Sequence, residues 1–132
     1  MRMGNLNFQT SSKHFTRSVQ HIRQWEDAHL PVSQSRLAFD LFMLIADSAE
    51  TESPMTLKRL FHSLRYSERG IRYVLEQFVD GGWCEIIGHA EDKRSRIVVA
   101  TDKLRIAVRE YEAVVLITYW HMLLQENDHV AS

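Results

Sequence analysis

The sequence predicts a mainly α chain with one small β-hairpin (α+β), and three observations predict it. Proline and glycine are scarce, two and five in 132 residues, which favours helices with short connections. Apolar residues recur at three- and four-residue spacing along most of the chain, the period of a helix with one buried face. Between about 83 and 101 that period gives way to two β-branched runs separated by a polar segment, which is the pattern of an antiparallel hairpin.

Residues 11–29 read as the first helix, with Ser11 or Ser12 as cap and Phe15, Val19 and Ile22 at helical spacing. Residues 33–49 form a second helix in which Leu37, Ala38, Leu41, Phe42, Leu44 and Ile45 leave little polar surface. Such a helix belongs at the centre of a core. A polar loop reaches Pro54, and a short third helix follows over 56–64, with Leu57, Leu60, Phe61 and Leu64 facing inward. Ser67 is a good N-cap for a fourth helix ending at Asp80, because its hydroxyl can accept from an otherwise unpaired backbone N–H. Ile71, Val74, Leu75, Phe78 and Val79 make one stripe of that helix, and Arg69, Arg72, Tyr73 and Glu76 lie opposite. Gly81 and Gly82 are expected to stop it through left-handed backbone angles. Strands at 83–87 and 96–101 flank a charged tip at 88–95, and the chain is helical again from 102 to about 125.

The length fits one domain over 1–132, and 45% hydrophobic residues can supply a core. Net charge is −1, which by itself gives no sign of a nucleic-acid partner. The distribution says more. Residues 55–105 carry ten Lys/Arg against seven Asp/Glu, a net of +3, and the segments on either side are acidic. A single cysteine, Cys84, cannot form an internal disulfide and fits a reducing compartment. The first ten residues contain no apolar run of the signal-peptide kind. The apolar stretch 113–124 is interrupted by Thr118 and His121 and is about half the roughly 20 residues that a membrane crossing needs. A cytoplasmic protein away from the membrane is expected. His14, His21, His29, His121 and His129 show no compact zinc-type spacing, so neither metal nor cofactor is expected. No nucleophile elbow, phosphate loop or metallohydrolase spacing is present, so an enzyme is not expected either.

Two short helices joined by a tight turn and followed by a hairpin make a winged helix-turn-helix. The third helix braces the fourth, which as recognition helix 67–80 can enter a major groove about 12 Å wide. Arg69, Arg72 and Tyr73 on its outward face offer donors to phosphates and base edges. The wing, 88–96, carries Lys93, Arg94 and Arg96, placed to reach a flanking phosphate or the minor groove. Arg69 and Arg72 can also pair along the helix with Glu68 or Glu76. The residues 113–124 are apolar almost all round. One helix of a small domain cannot bury every side within its own subunit, so a protein partner is expected.

From about 37 to 101 the sequence resembles the MarR family of bacterial regulators. The matching pieces are Thr56-Leu57-Lys58-Arg59-Leu60, then Ser67-x-Arg69 with Val74-Leu75, then Gly81-Gly82-Trp83. The most specific is Asp92-Lys93-Arg94-Ser95 followed by Val98 and Thr101. The resemblance implies that Arg94 enters the minor groove and that Ser67, Arg69, Arg72 and Tyr73 serve the recognition helix. It also implies a homodimer whose terminal helices, 11–30 and 103–125, interlock around a DNA-binding lobe at 33–101. Phe15, Val19, Trp25, Val115, Tyr119, Trp120 and Leu123 would form that interface, and the partner would be a pseudo-palindromic double-stranded DNA operator. A small aromatic effector between the dimerisation helices and the lobe is a further implication. Trp25, Phe39, Phe42 and Tyr111 either line such a cleft or belong to the core. The competing expectation is a winged-helix protein-interaction or dimerisation module without specific DNA contact, favoured by the near-neutral charge and by Glu68 and Glu76 on the recognition helix.

Overall fold

The computed structural model describes residues 8–33, 35–51, 53–89 and 92–131. Helices α1 (Phe8–His29) and α2 (Arg36–Ala49) come first, then strand β1 (Met55–Thr56) and helices α3 (Leu57–Ser63) and α4 (Glu68–Asp80). Strands β2 (Cys84–His89) and β3 (Asp92–Ala100) precede the long helix α5 (Asp102–Ala131). The mainly α architecture with a wing hairpin is the one expected from the sequence.

Local signals set the helix starts. The Ser35 hydroxyl accepts from the Ala38 N–H at 3.2 Å, Thr56 does the same for Arg59 at 3.1 Å, and Ser67 for Gly70 at 3.1 Å. Each satisfies a donor that the first turn leaves unpaired. At the end of α4 the expectation is corrected in part. Gly81 keeps right-handed angles, and only Gly82 is left-handed, with φ of 78°. A side chain at Gly70 would place its Cβ 3.1 Å from Ser67 Oγ and 3.3 Å from Leu37. Glycine there lets α4 approach α2 while the cap stays closed.

The core fills the space between α2, α4 and the sheet. Leu41, Phe42 and Ile45 of α2 are fully buried, with Leu60 of α3 and Ile71 of α4. The Phe42 ring stands edge-on to Phe78 at 6.3 Å and to Trp83 at 5.9 Å, the offset arrangement that aromatic quadrupoles favour. Phe42 is therefore core and lines no cleft.

The sheet departs from a plain hairpin. Its strand order is β1-β3-β2, all antiparallel, with Met55 opposite Val98, and Cys84 opposite Ala100. Cys84, Val98 and Ala100 point into the core, while Glu85 and Ile87 face outward. Strand pairing extends into the polar stretch expected to be the loop, as far as His89 opposite Asp92, with an irregularity between Ile87 and His89. The last helix runs to Ala131, beyond the expected end near 125.

The β3–α5 junction is tied back to the end of α4. The Thr101 hydroxyl donates toward the carbonyls of Gly82 at 2.6 Å and Trp83 at 2.9 Å. Lys103 donates to the Gly81 carbonyl at 2.7 Å and lies 4.4 Å above the Trp83 ring. This clamp fixes the wing and α4 relative to the start of α5. Helices α1 and α5 pack on each other away from the sheet. Among the described residues, no helix is long and apolar enough to cross a membrane.

Candidate nucleic-acid interface

Burying Ile71, Val74, Leu75 and Phe78 turns the other face of α4 outward. Arg69, Arg72, Tyr73 and Glu76 are all exposed on it. Tyr73 stands well out, leaving its hydroxyl and ring free to meet a groove wall. Ser67 sits at the tip of the helix with its oxygen engaged as the cap. Its hydroxyl hydrogen can still be donated, because a hydroxyl both donates and accepts.

Arg72 is already engaged. Its Nε and Nη2 both donate to Glu68 Oε1, at 3.2 and 2.7 Å, and its guanidinium lies 4.8 Å from the centre of the Phe61 ring. Of the pairings open to the two arginines, this is the i,i+4 one with Glu68. Its charges are more than half exposed, so it adds only tenths of a kcal/mol to stability, on the order of 0.5. Its effect is to fix where the arginine points.

Between α3, α4 and the wing lies a groove of about 470 Å³, lined by Lys58, Phe61, His62, Glu68, Arg72 and Arg96. Arg96 is exposed on β3 and faces this groove from the wing side. The wing backbone is described at 88–89 and from 92 onward, but the side chains of Lys93 and Arg94 lie outside the described residues. To the basic residues that the sequence singles out on α4 and the wing, the structure adds Lys58, Arg59 and His62 of α3. The signal was available, since all three fall opposite Leu57, Leu60 and Phe61 on α3 and are exposed.

A second surface involves α1 and α5. Trp25 of α1 lies flat against Tyr111 of α5, with ring centres 5.6 Å apart, and against His29 at 4.4 Å. The Tyr111 hydroxyl donates to Glu26, a buried carboxylate, at 2.7 Å. Burial and this bond push the Tyr111 phenol well above its ordinary range. Trp25 thus holds α1 to α5 within one chain, and Val19, Val115 and Tyr119 are half-buried near the same seam. Phe15, Leu116, Ile117, Trp120, Leu123 and Leu124 are exposed. His14, His21 and His121 meet along one groove between the two helices, with Arg17 beside them. Among the described residues no group of three His, Cys, Asp or Glu is placed to hold a metal ion.

A groove of about 640 Å³ runs between α1 and α2, lined in part by Arg23, Glu26, Arg36, Phe39 and Asp40. Of the four aromatic residues considered for an effector cleft, Phe39 lies on it, while Trp25 and Tyr111 stack on each other. Cys84 is buried in β2, and burial pushes its thiol up to about 11.

No protein-family model and no curated protein matches the sequence. Solved structures do match the fold. The Staphylococcus aureus MepR–DNA complex superposes with a TM-score of 0.63 at 10% identity, covering 94% of each chain. A mutant of E. coli MarR complexed with operator DNA gives 0.55 at 18% identity over 84% of this chain and 78% of that one. BpsR of Bordetella bronchiseptica, whose DNA binding is regulated by 6-hydroxynicotinic acid, gives 0.53 at 15% identity, covering 84% and 82%. The chain has the winged-helix fold of MarR-like transcription regulators.

Proposed function

We propose that the protein is a transcriptional regulator that binds double-stranded DNA sequence-specifically as a homodimer. The observation that carries this reading is the outward face of α4. It presents Arg69, Arg72 and Tyr73 beside the cationic α3 and Arg96 of the wing, on a fold shared with regulators solved on DNA. Helix 67–80 enters the major groove, and wing 88–96, with Lys93 and Arg94, lies at the minor groove. Lys58, His62 and Arg96 flank the helix and meet phosphates, which fix orientation without carrying sequence.

The apolar residues left uncovered on α5 support the dimer. Leu116 and Trp120 are each 62% exposed and stand one turn apart. Exposed neighbours Ile117, Leu123 and Leu124 make the patch continuous along the helix. A second copy covers such a face on both subunits at once through a two-fold axis, the commonest symmetry of soluble oligomers. Phe15 of α1 extends the same interface. On this reading the groove beside Phe39 takes a small aromatic effector, a role supported by the ligand regulation of BpsR.

Selection from a pool of random duplexes tests the proposal. The expected result is a pseudo-palindrome with half-sites about 10 base pairs apart, one helical turn. Recovery of no consensus from the pool would overturn it and would favour a winged helix that serves a protein partner.

A further inference from the structure

We infer that Glu68 and Arg72 work as one base-reading unit, in which the glutamate holds the arginine to read a guanine in each half-site. The inference rests on the DNA-binding reading above and assigns the chemistry of one position within it.

The geometry separates Arg72 from the other cations of the surface. Glu68 Oε1 takes the Nε and Nη2 donors, at 3.2 and 2.7 Å. Phe61 supports the guanidinium from below, 4.8 Å from the ring centre. A guanidinium has five N–H donors in a fixed planar fork. With the Nε–Nη2 edge occupied, the Nη1–Nη2 edge remains for a second pair of acceptors. Guanine offers two acceptors, O6 and N7, on its major-groove edge, and bidentate arginine is the commonest specific partner for them. The side chains of the pair are 56% and 60% exposed, which leaves room for such acceptors to approach.

A phosphate is also a bidentate acceptor, but the local charge argues against it. Glu68 cancels the charge of Arg72 and sets a carboxylate beside anything that approaches. The pair therefore gains little from the phosphate field and releases few counterions. A base edge is uncharged and carries no such penalty. Holding the arginine in advance also removes much of the rotamer freedom it would lose on binding. An acidic residue at the start of a recognition helix, which taken alone weakens DNA binding, here sharpens the reading of one base.

The test compares random-duplex selection and competition titrations for the wild-type chain, Arg72→Lys and Glu68→Ala. Both substitutions are at exposed positions, and circular dichroism establishes that the variants fold. The wild-type consensus is expected to hold one fixed guanine per half-site. Arg72→Lys should lose that preference, and Glu68→Ala should bind DNA with discrimination at that position reduced by about tenfold. Unchanged discrimination in either variant would overturn the inference. So would a loss of affinity in Arg72→Lys that is equal on all duplexes, the mark of a phosphate contact. A wild-type chain that selects no consensus at all would remove the DNA-binding reading itself and this inference with it.

Discussion

Thr101 shows how much a single hydroxyl can organise. It joins the end of β3 to the carbonyls of Gly82 and Trp83, at the point where the sheet meets α5. Thr101→Val keeps the shape and removes the donor, leaving carbonyls without that partner. A stability loss of about 1–2 kcal/mol is expected, measured as a lower urea midpoint with an unchanged slope. Cys84 has a different consequence. A thiol pushed up to about 11 carries almost no thiolate near neutrality, and the thiolate is the reactive form. Iodoacetamide at pH 8 should leave the native protein unlabelled and label it fully in urea; rapid native labelling would contradict the buried placement. The raised value also has a sign for stability. Between the ordinary thiol value near 9 and about 11, the folded chain keeps a proton that the unfolded chain has lost. This contribution is present below pH 9 and is lost as pH rises through that window. At this scale the Ser67 cap is legible, because it stands directly before an apolar periodic run, whereas the expected cap at Ser11 or Ser12 falls inside α1, which already begins at Phe8. The division of labour between Gly81 and Gly82 was not legible, since either can adopt the left-handed angle and the Lys103 and Trp83 contacts decide between them.

Among the elements, α4 was the most readable. Its stripe at i, i+3, i+4, i+7 and i+8 leaves one solution for which side is buried, and the observed helix ends at Asp80 as expected. Strand β1 was not readable, because two residues have no period; Met55 and Thr56 become a strand only by pairing with Val98 and Ile97. The hairpin strands were read too short for a related reason. The pairing of His89 with Asp92 is made by the backbone and needs no apolar alternation, so the polar stretch up to Ser95 reads as loop in the sequence. In α5 the lack of a polar side was itself the signal, and the structure leaves Leu116, Trp120, Leu123 and Leu124 exposed. Leu116→Glu with Trp120→Glu should place like charges in the proposed two-fold interface. Sedimentation should then report a monomer whose circular dichroism retains its helical signal. A wild-type chain that sediments as a monomer at micromolar concentration would contradict the dimer.

At the level of the whole molecule, a chain of net charge −1 places cations where the fold needs them. Lys58 and Arg96 flank α4, which itself carries Arg69 and Arg72, while the flanking chain segments carry the excess acid. Composition alone points away from DNA, and the three-dimensional arrangement points toward it. The helix-turn-helix and the wing are legible in the sequence through their order and through the outward residues of α4. The sequence offers the Glu68–Arg72 pairing as one option, but not the placement of Arg72 over Phe61, which depends on how α3 meets α4, nor the convergence of three histidines between α1 and α5.

A fluorescence-anisotropy titration of the selected duplex and its scrambled counterpart, at two salt concentrations, tests the central claim most directly. The predicted result is tight binding to the selected duplex, weaker binding to the scrambled one, and affinity that falls steeply with salt. Each phosphate contact should contribute about 0.9 to the slope of log affinity against log salt. Equal binding of both duplexes, or affinity indifferent to salt, would contradict the account.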